Sequence, residues 1–441
     1  MRSSHSLDRI AVAFDDQRLI DHAGLLLPAT LAQHLGLHEL VDTHLDLGVA
    51  RGRANVGDKL LTLVESALAG GDCIDDADAL RAGGTEAVLG HRLKAASTLG
   101  TFLRSFRWGH VRQLDVVSRR LLAQAWAAGA GPGDAPFTID LDSTICETYG
   151  LAKQGGTHHG YTGVRGYHPL LAVAAGTGDV LHARLRGGNA NSGRGAGSFL
   201  AETINRVRNA GACGELTLRA DSGFYSHAVV KAARKRRVRF SITVRQSAAV
   251  KRLIEAIPET AWTPIPYWIA GGADVAETTY TPFASRKDAV PVRFIVRRVQ
   301  PTPGSQLALF ATYDYHAFIT DRLGATLTLE ADHRRHAEIE NAIRDLKYGM
   351  GLNHLPSGKF GANGAWLAVQ VIAHNLARWT ARIGLGVGIV TTKTLRRRLF
   401  SLAGRLTRSA RRVSLHLPAR WPWAVEFAAA LARLRASPLR A

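Results

Sequence analysis

The first 130 or so positions follow a helical pattern of apolar residues. Residues 58–70 (DKLLTLVESALAG) repeat apolar positions three or four residues apart, and so do residues 109–129. Between them, Ser97 is placed to cap a further helix. The inner side of that helix carries Leu99, Phe102, Leu103 and Phe106. A glycine- and proline-rich linker over 129–136 follows, so we predict a helical N-terminal domain over residues 1–135, which we interpret as DNA-binding.

After the linker the pattern changes to that of strands. Residues 136–144 (PFTIDLDST) alternate, with Asp140 and Asp142 on the face opposite the apolar residues. Further segments predict two strands, a helix, a strand, a helix and a strand, over residues 168–176, 179–188, 198–211, 215–224, 226–237 and 238–244. This is the order of the ribonuclease H-like fold, an antiparallel meander followed by right-handed crossovers. We therefore predict an α/β protein with a mixed sheet and flanking helices, whose core begins over residues 136–245.

The remainder of the chain divides by its pattern into three parts. Residues 246–320, with prolines, tryptophans and short alternating stretches, predict a β-rich insertion subdomain. Helical patterns over 329–347 and 366–383 predict a second part of the core at 321–380. Residues 381–441 hold 13 Lys or Arg and one acid, and we interpret them as a basic DNA-binding region.

The charge balance indicates the partner. The chain has 56 Lys and Arg against 36 Asp and Glu, a net charge of +20, which favours nucleic acid or an anionic surface as the partner. With 46% hydrophobic and 21% charged residues, the composition excludes a wholly disordered chain. No segment approaches the ~18–20 apolar residues of a membrane span, and the start lacks a signal peptide. We expect a cytoplasmic, nucleoid-associated protein that does not contact membranes.

Acidic residues on separate predicted elements could meet at one edge of the sheet. Asp142 lies in the first strand and Asp221 (in LRADSGF) at the end of the fourth, and these strands are neighbours in the predicted order. Asp140 shares a face with Asp142, so spacing alone does not choose between them. A third acid must come from a helix, and Glu340 is the best candidate. Three carboxylates suit Mg²⁺, and two such ions would support phosphodiester cleavage.

The helix that carries Glu340 offers further candidates. Glu338 and Asp345 are its other acids. Lys347 lies seven residues after Glu340, two turns along the same face, where an ammonium could contact a phosphate.

Five stretches together carry a family resemblance: IDLDST, GYTGVRGYHPLLA, RGGNANSGRGAGSFL, LRADSGF and EIENAIRDLKYGMGL. They resemble the DDE transposases of bacterial insertion sequences, in particular the family numbered thirteen-eighty, a relative of the Tn-five-type group. The resemblance runs from about Phe137 to Trp379. It implies Asp142, Asp221 and Glu340 as catalytic metal ligands, with Asp140 as the alternative to Asp142.

The resemblance also implies the groups that contact DNA. Lys347 corresponds to the family's phosphate-binding lysine. Relatives carry Tyr and Arg seven and four residues before the Glu, whereas this chain has His333 and His336 there. We expect Arg334 and Arg335, with His336 beside them, to supply the phosphate contacts in place of that Tyr and Arg. Apart from the resemblance, we expect further phosphate contacts from Arg194, in the glycine-rich loop, and from Arg396, Arg397 and Arg398, a run that no acids offset.

The activity implied is cut-and-paste transposition. Two Mg²⁺ ions, for which Mn²⁺ could substitute, would support hydrolysis at the ends of a DNA element and joining to target DNA. The partners would be double-stranded DNA and a second copy of the chain on that DNA. Trp262 or Trp268 in the insertion could stack on an unpaired base. The alternatives are a ribonuclease H-like nuclease without strand transfer and an inactive, transposase-derived DNA-binding protein.

Overall fold

A computed structural model describes residues 7–49, 52–156, 159, 163–268, 271–300 and 313–436. Positions 160–162 of the GYTGVRGYHPLLA stretch lie outside the described residues. The N-terminal part contains the short strand β1 (Leu19–Ile20) and then helices: α1 (Leu26–His34), α2 (Leu37–His44), α3 (Val56–Ala69), α4 (Ala77–Leu80), α5 (Thr85–Leu89), α6 (Ala96–Arg104) and α7 (Trp108–Ala125). The described N-terminal part is thus mostly helical.

Helix α6 shows where the capping prediction was wrong. The helix begins at Ala96, its N-cap is Ala95, and no side chain caps it, so that Ser97 lies inside the first turn. Its inner face is as predicted, because Leu99, Phe102 and Phe106 are buried in the main hydrophobic core.

The central part of the chain contains most of the strands. In chain order they are β2 (Phe137–Ser143), β3 (Cys146–Glu147), β4 (Gly166–Tyr167), β5 (Leu170–Ala174), β6 (Val180–Arg184), β7 (Leu216–Ala220), β8 (Arg239–Thr243), β9 (Thr263–Ile265), β10 (Ala273–Tyr280), β11 (Val292–Val299) and β12 (Asp314–Thr320). The helices between them are α8 (Ala196–Asn209), α9 (His227–Lys235) and α10 (Ala248–Glu255).

Among the described residues, nine of these strands form one mixed sheet in the order β6-β5-β2-β7-β8-β12-β11-β10-β9. Its first five strands have the predicted order, with β2 antiparallel to β5 and parallel to β7. Strand β12 then pairs with the outer side of β8, Phe318 opposite Thr243. The strands of the predicted insertion therefore continue the core sheet and cover the β8 edge, which would otherwise expose unpaired backbone groups.

After β12 the chain is mostly helical. It forms α11 (Thr326–Arg334), α12 (Ile339–Arg344), α13 (Phe360–Trp379), α14 (Thr392–Leu395), the hairpin β13 (Gly404–Ser409) and β14 (Arg412–His416), and α15 (Ala424–Ala436). Strand β13 also pairs with β1, Arg405 opposite Leu19. No helix in the described part of the chain is both long and apolar enough to cross a bilayer.

The predicted helix over 329–347 is divided into successive segments of different helix type. A 3₁₀ turn (Arg335–Glu338) joins α11 to α12, and a π-helical turn (Asp345–Gly349) follows α12. A glycine ends this turn for a steric reason: a Cβ on Gly349 would lie 2.7 Å from Oδ1 of Asp345. The π turn, a form often found at functional sites, carries Lys347.

Candidate active site

Two of the three expected acids are brought together by strand pairing. In the parallel pair of β2 and β7, Leu141 lies opposite Ala220, and the next residues are Asp142 and Asp221. Asp221 caps the following 3₁₀ turn by accepting a hydrogen bond from the Gly223 N–H at 3.0 Å. The two carboxylates therefore share one edge of the sheet.

The charge of Glu340, on α12, affects the pKa of the Asp142 carboxyl group. Burial raises the pKa of Asp142 to about 6; the Ser143 N–H and the His336 ring lower it, and the charges of Asp221 and Glu340 raise it further. Like charges that oppose ionisation are what a bound cation would relieve. The donor set thus fits a divalent metal ion.

The three acids form an open arrangement. In the described chain, two groups have three potential ligand atoms within 4.8 Å of one another, and neither contains these acids: Asp72–Cys73–Asp76 and Asp115–His182–Glu202. In the second group Arg206 already binds Asp115 at 2.6 Å. In the first, Asp76 accepts hydrogen bonds from the Asp72 and Cys73 N–H groups, as a loop-forming Asp does.

The raised pKa predicts how pH affects stability without metal. The pKa of Asp142 is 3.8 in the unfolded chain and about 6 in the folded chain, so the folded chain binds the proton more tightly. Stability therefore falls as pH rises through this window and is level above it. We expect Asp142→Asn to make the metal-free protein more stable by about 2 kcal/mol above the window and to change nothing below it. Urea unfolding in a chelator measures this, and an equal effect at all pH values would contradict it.

Asp140, the alternative to Asp142, has other partners. Its two carboxylate oxygens accept hydrogen bonds from Nε and Nη2 of Arg219, both at 2.8 Å, and one also lies 3.0 Å from Nδ1 of His336. Arg219 and Asp140 are almost fully buried. Since this ion pair occupies Asp140, Asp142 is the better candidate metal ligand.

The basic residues near Glu340 differ in their hydrogen-bond partners and in their exposure. Nζ of Lys347 donates a hydrogen bond at 2.9 Å to the carbonyl of Ile145, just beyond β2, and so lies at the same end of β2 as Asp142. Arg334 pairs with Glu330 at 3.0 Å and Arg335 with Glu338 at 2.9 Å. Of these two arginines, Arg335 is the more exposed.

His333 lies in the protein interior. Its ring nitrogens are 2.8 Å from the Ser241 hydroxyl and 2.9 Å from the Thr243 hydroxyl. Burial holds the pKa of His333 well below its ordinary value, so the ring is neutral. It ties α11 to β8 and does not offer a positive charge to a phosphate.

The glycine-rich loop after β6 also reaches the acidic edge. The Arg186 guanidinium donates to the carbonyls of Asn191, Ser192 and Arg194 at 3.0–3.1 Å, which folds the loop around it. The Ser192 hydroxyl then lies 3.1 Å from that of Ser143. Sequence reasoning missed the role of Arg186; the available signal was an arginine at the start of the loop. Arg194 is exposed, as expected for a phosphate contact.

The three consecutive arginines of the C-terminal part separate into two kinds. Arg396 donates to the carbonyls of Ala67, Leu68 and Gly349 at 2.7–3.0 Å, and so binds the carboxyl end of α3. Arg397 and Arg398 are exposed. Arg396 is therefore a structural residue, whereas its two neighbours are available to a ligand.

We expect Arg396→Gln to lower the free energy of unfolding by about 2 kcal/mol, because three partly buried carbonyls lose a charged donor. Arg397→Gln is the matched control and should stay within about 0.5 kcal/mol of wild type. Chemical denaturation measures both. Equal stability of the two variants would show that these hydrogen bonds contribute little.

Comparison with known proteins settles the family. The profile of the family described as "Transposase DDE domain group 1" matches residues 3–439. The chain belongs to this family. It is thus a DDE transposase by descent, and transposase activity is the function that the family supports.

No curated protein matches this transposase. Among solved structures, it is similar to one described as "Cryo-EM structure of piggyBac transposase synaptic complex with hairpin DNA". The two share 11% sequence identity with a TM-score of 0.44, over 86% of this chain and 79% of that one, which is a distant likeness.

Proposed function

We propose that this chain is a metal-dependent transposase of the insertion-sequence family numbered thirteen-eighty, with a ribonuclease H-like core, that cuts and joins DNA. The observation that carries the proposal is the β2–β7 register, which puts Asp142 and Asp221 at one sheet edge within electrostatic reach of Glu340. Family membership supports the same activity.

Asp142, Asp221 and Glu340 would hold two Mg²⁺ ions, or Mn²⁺ in their place. When bound, such ions activate the attacking oxygen and stabilise the leaving one. Since oxygen ligands are what Mg²⁺ prefers, the all-carboxylate set suits it.

The chain's own basic residues would position the scissile phosphate. Lys347 would balance charge on the phosphoryl oxygens, helped by the exposed Arg335 and Arg194. Water adds to the phosphorus and the 3′-oxygen of the element leaves as a hydroxyl. That hydroxyl then attacks a target phosphodiester, and the target's own 3′-oxygen leaves, so no covalent enzyme intermediate is needed.

The remaining contacts would hold the duplex. Arg397 and Arg398 would bind phosphates without reading sequence, and two copies of the chain would hold the two ends. Trp268 is 83% exposed, whereas Trp262 is covered by Arg298, whose guanidinium lies 4.4 Å from the ring centroid. Trp268 is therefore the candidate for stacking on an unpaired base.

The decisive experiment uses the full-length protein and duplexes that carry the inverted repeats flanking its gene. Cleavage at the repeat boundary with Mg²⁺, none with a chelator, and joining of the released 3′-end to a second duplex are expected. Cleavage without joining would reduce the function to that of a nuclease. Salt-sensitive binding without cleavage would identify an inactive DNA-binding protein.

A further inference from the structure

A cavity of about 660 Å³ lies beside α12, and none of Asp142, Asp221 and Glu340 lines it. With 3.6 residues per turn, Glu340 and Lys347 share one side of this helical segment. Asn341, Asp345 and Tyr348 lie about 80–140° around the helix from Glu340 and line the cavity. One helical segment thus carries a candidate active-site residue and part of the cavity wall.

The floor of the cavity is built from small and apolar residues. Val173, Ala174, Ala175 and Gly176, at the end of β5 and in the turn after it, form this floor. Their short side chains give the cavity its depth. Another wall comes from Ile389, Thr391 and Lys393, around the start of α14.

The charges around the cavity leave a positive excess. Of the acids that line it, Glu338 is paired with Arg335, Asp140 with Arg219, and Asp345 with Arg378 at 3.4 Å. Arg344 and Lys393 have no acid within ion-pairing distance in the described chain. The rim therefore offers two uncompensated cations to an anion.

The rim also offers flat apolar surface. Tyr348 is 70% exposed and Ile389 is 54% exposed, and both face the cavity. Aromatic rings next to cations are the usual surface for a stacked base and its phosphate. The volume falls in the range of small-ligand pockets, about 300–1,000 Å³, so it admits a nucleotide but not a duplex.

We propose that this cavity binds one nucleotide, with the base against Tyr348 and the phosphate on Arg344 and Lys393. The bound group is either a free nucleotide or one nucleotide of a DNA single strand. The second of these rests on the proposed function. In both cases recognition combines stacking with phosphate neutralisation and does not involve the acidic edge.

The test titrates the full-length protein with dAMP, with a labelled tetranucleotide single strand, and with two fragments, deoxyadenosine and deoxyribose 5-phosphate. We expect dAMP and the tetranucleotide to bind better than either fragment. Tyr348→Ala and Lys393→Gln should each weaken binding about tenfold, because each removes one half of the recognition. Tyr348→Phe, which keeps the ring, and Lys287→Gln, which removes a charge from the distant β10–β11 turn, should bind like wild type.

The outcomes separate the two proposals. Binding of the tetranucleotide but not of dAMP, with the same dependence on Tyr348 and Lys393, identifies the strand as the source. Absence of binding, or binding that neither variant weakens, overturns the nucleotide site and leaves DNA cleavage untouched. Conversely, Asp142→Asn should lose cleavage and still bind the nucleotide through Lys393.

Discussion

Replacing Asp142 or Asp221 by Asn, or Glu340 by Gln, is expected to reduce DNA cleavage by at least about 10³-fold. Each substitution keeps the side-chain shape and removes one negative ligand from the shared edge. Duplex binding should change little, since phosphate contacts come from other residues. Single-turnover cleavage and fluorescence anisotropy on the same DNA measure the two effects separately.

Glu338→Gln is the control for these variants. It removes an acid from the turn next to α12, but this carboxylate is exposed and pairs with Arg335. Cleavage should therefore stay within about twofold of wild type. If a Glu340→Gln protein retained full activity, Glu340 would be removed from the site and the assignment of the helix would need to change.

The buried Arg219–Asp140 pair gives the second large effect. Arg219→Met should lower the free energy of unfolding by about 3–5 kcal/mol, because it leaves the Asp140 charge buried without its main partner. Arg219 also donates to the carbonyl of Asp332 at 2.6 Å, so the same change loosens α11 from the sheet. Urea or guanidinium unfolding of the single variant measures the loss.

The double variant Arg219→Met with Asp140→Leu tests the cause. Removing both charges should restore most of the lost stability, since an apolar pair of similar volume is often as stable as a buried ion pair. If the double variant were as unstable as the single one, the packing of Arg219 would matter more than its charge.

The strand order could be predicted from sequence because each strand is a recognisable apolar or alternating segment. Each crossover also contains a helical segment of its own. That order alone places Asp142 beside Asp221. It did not separate Asp140 from Asp142, since both lie on one face of β2. The deciding residue, Arg219, lies 79 positions further along, and only the β2–β7 register brings it opposite Asp140. An arginine inside the otherwise uncharged LTLRA strand was the available signal.

Other features depend on contacts between distant parts of the chain, which the local pattern of apolar and polar residues does not show. Alternation in VRFIVRRV predicts a strand but not which edge it extends, so the continuation of the core sheet through β12 was missed. Charge counts treat Arg396, Arg397 and Arg398 alike. The carbonyls that engage Arg396 belong to α3 and to the turn after α12, more than 300 residues away in one case.

The pairing of β1 with β13 and the contact of Arg396 with α3 have a consequence during synthesis. Leu19 has no strand partner until Arg405 has left the ribosome, and the carboxyl end of α3 lacks its guanidinium until Arg396 has. Domains that fold as they emerge would normally finish in order from the N-terminus. Here the earliest helices gain contacts from late parts of the chain, so an incomplete nascent chain lacks the hydrogen bond from Arg396 to Gly349, in the turn that holds Lys347.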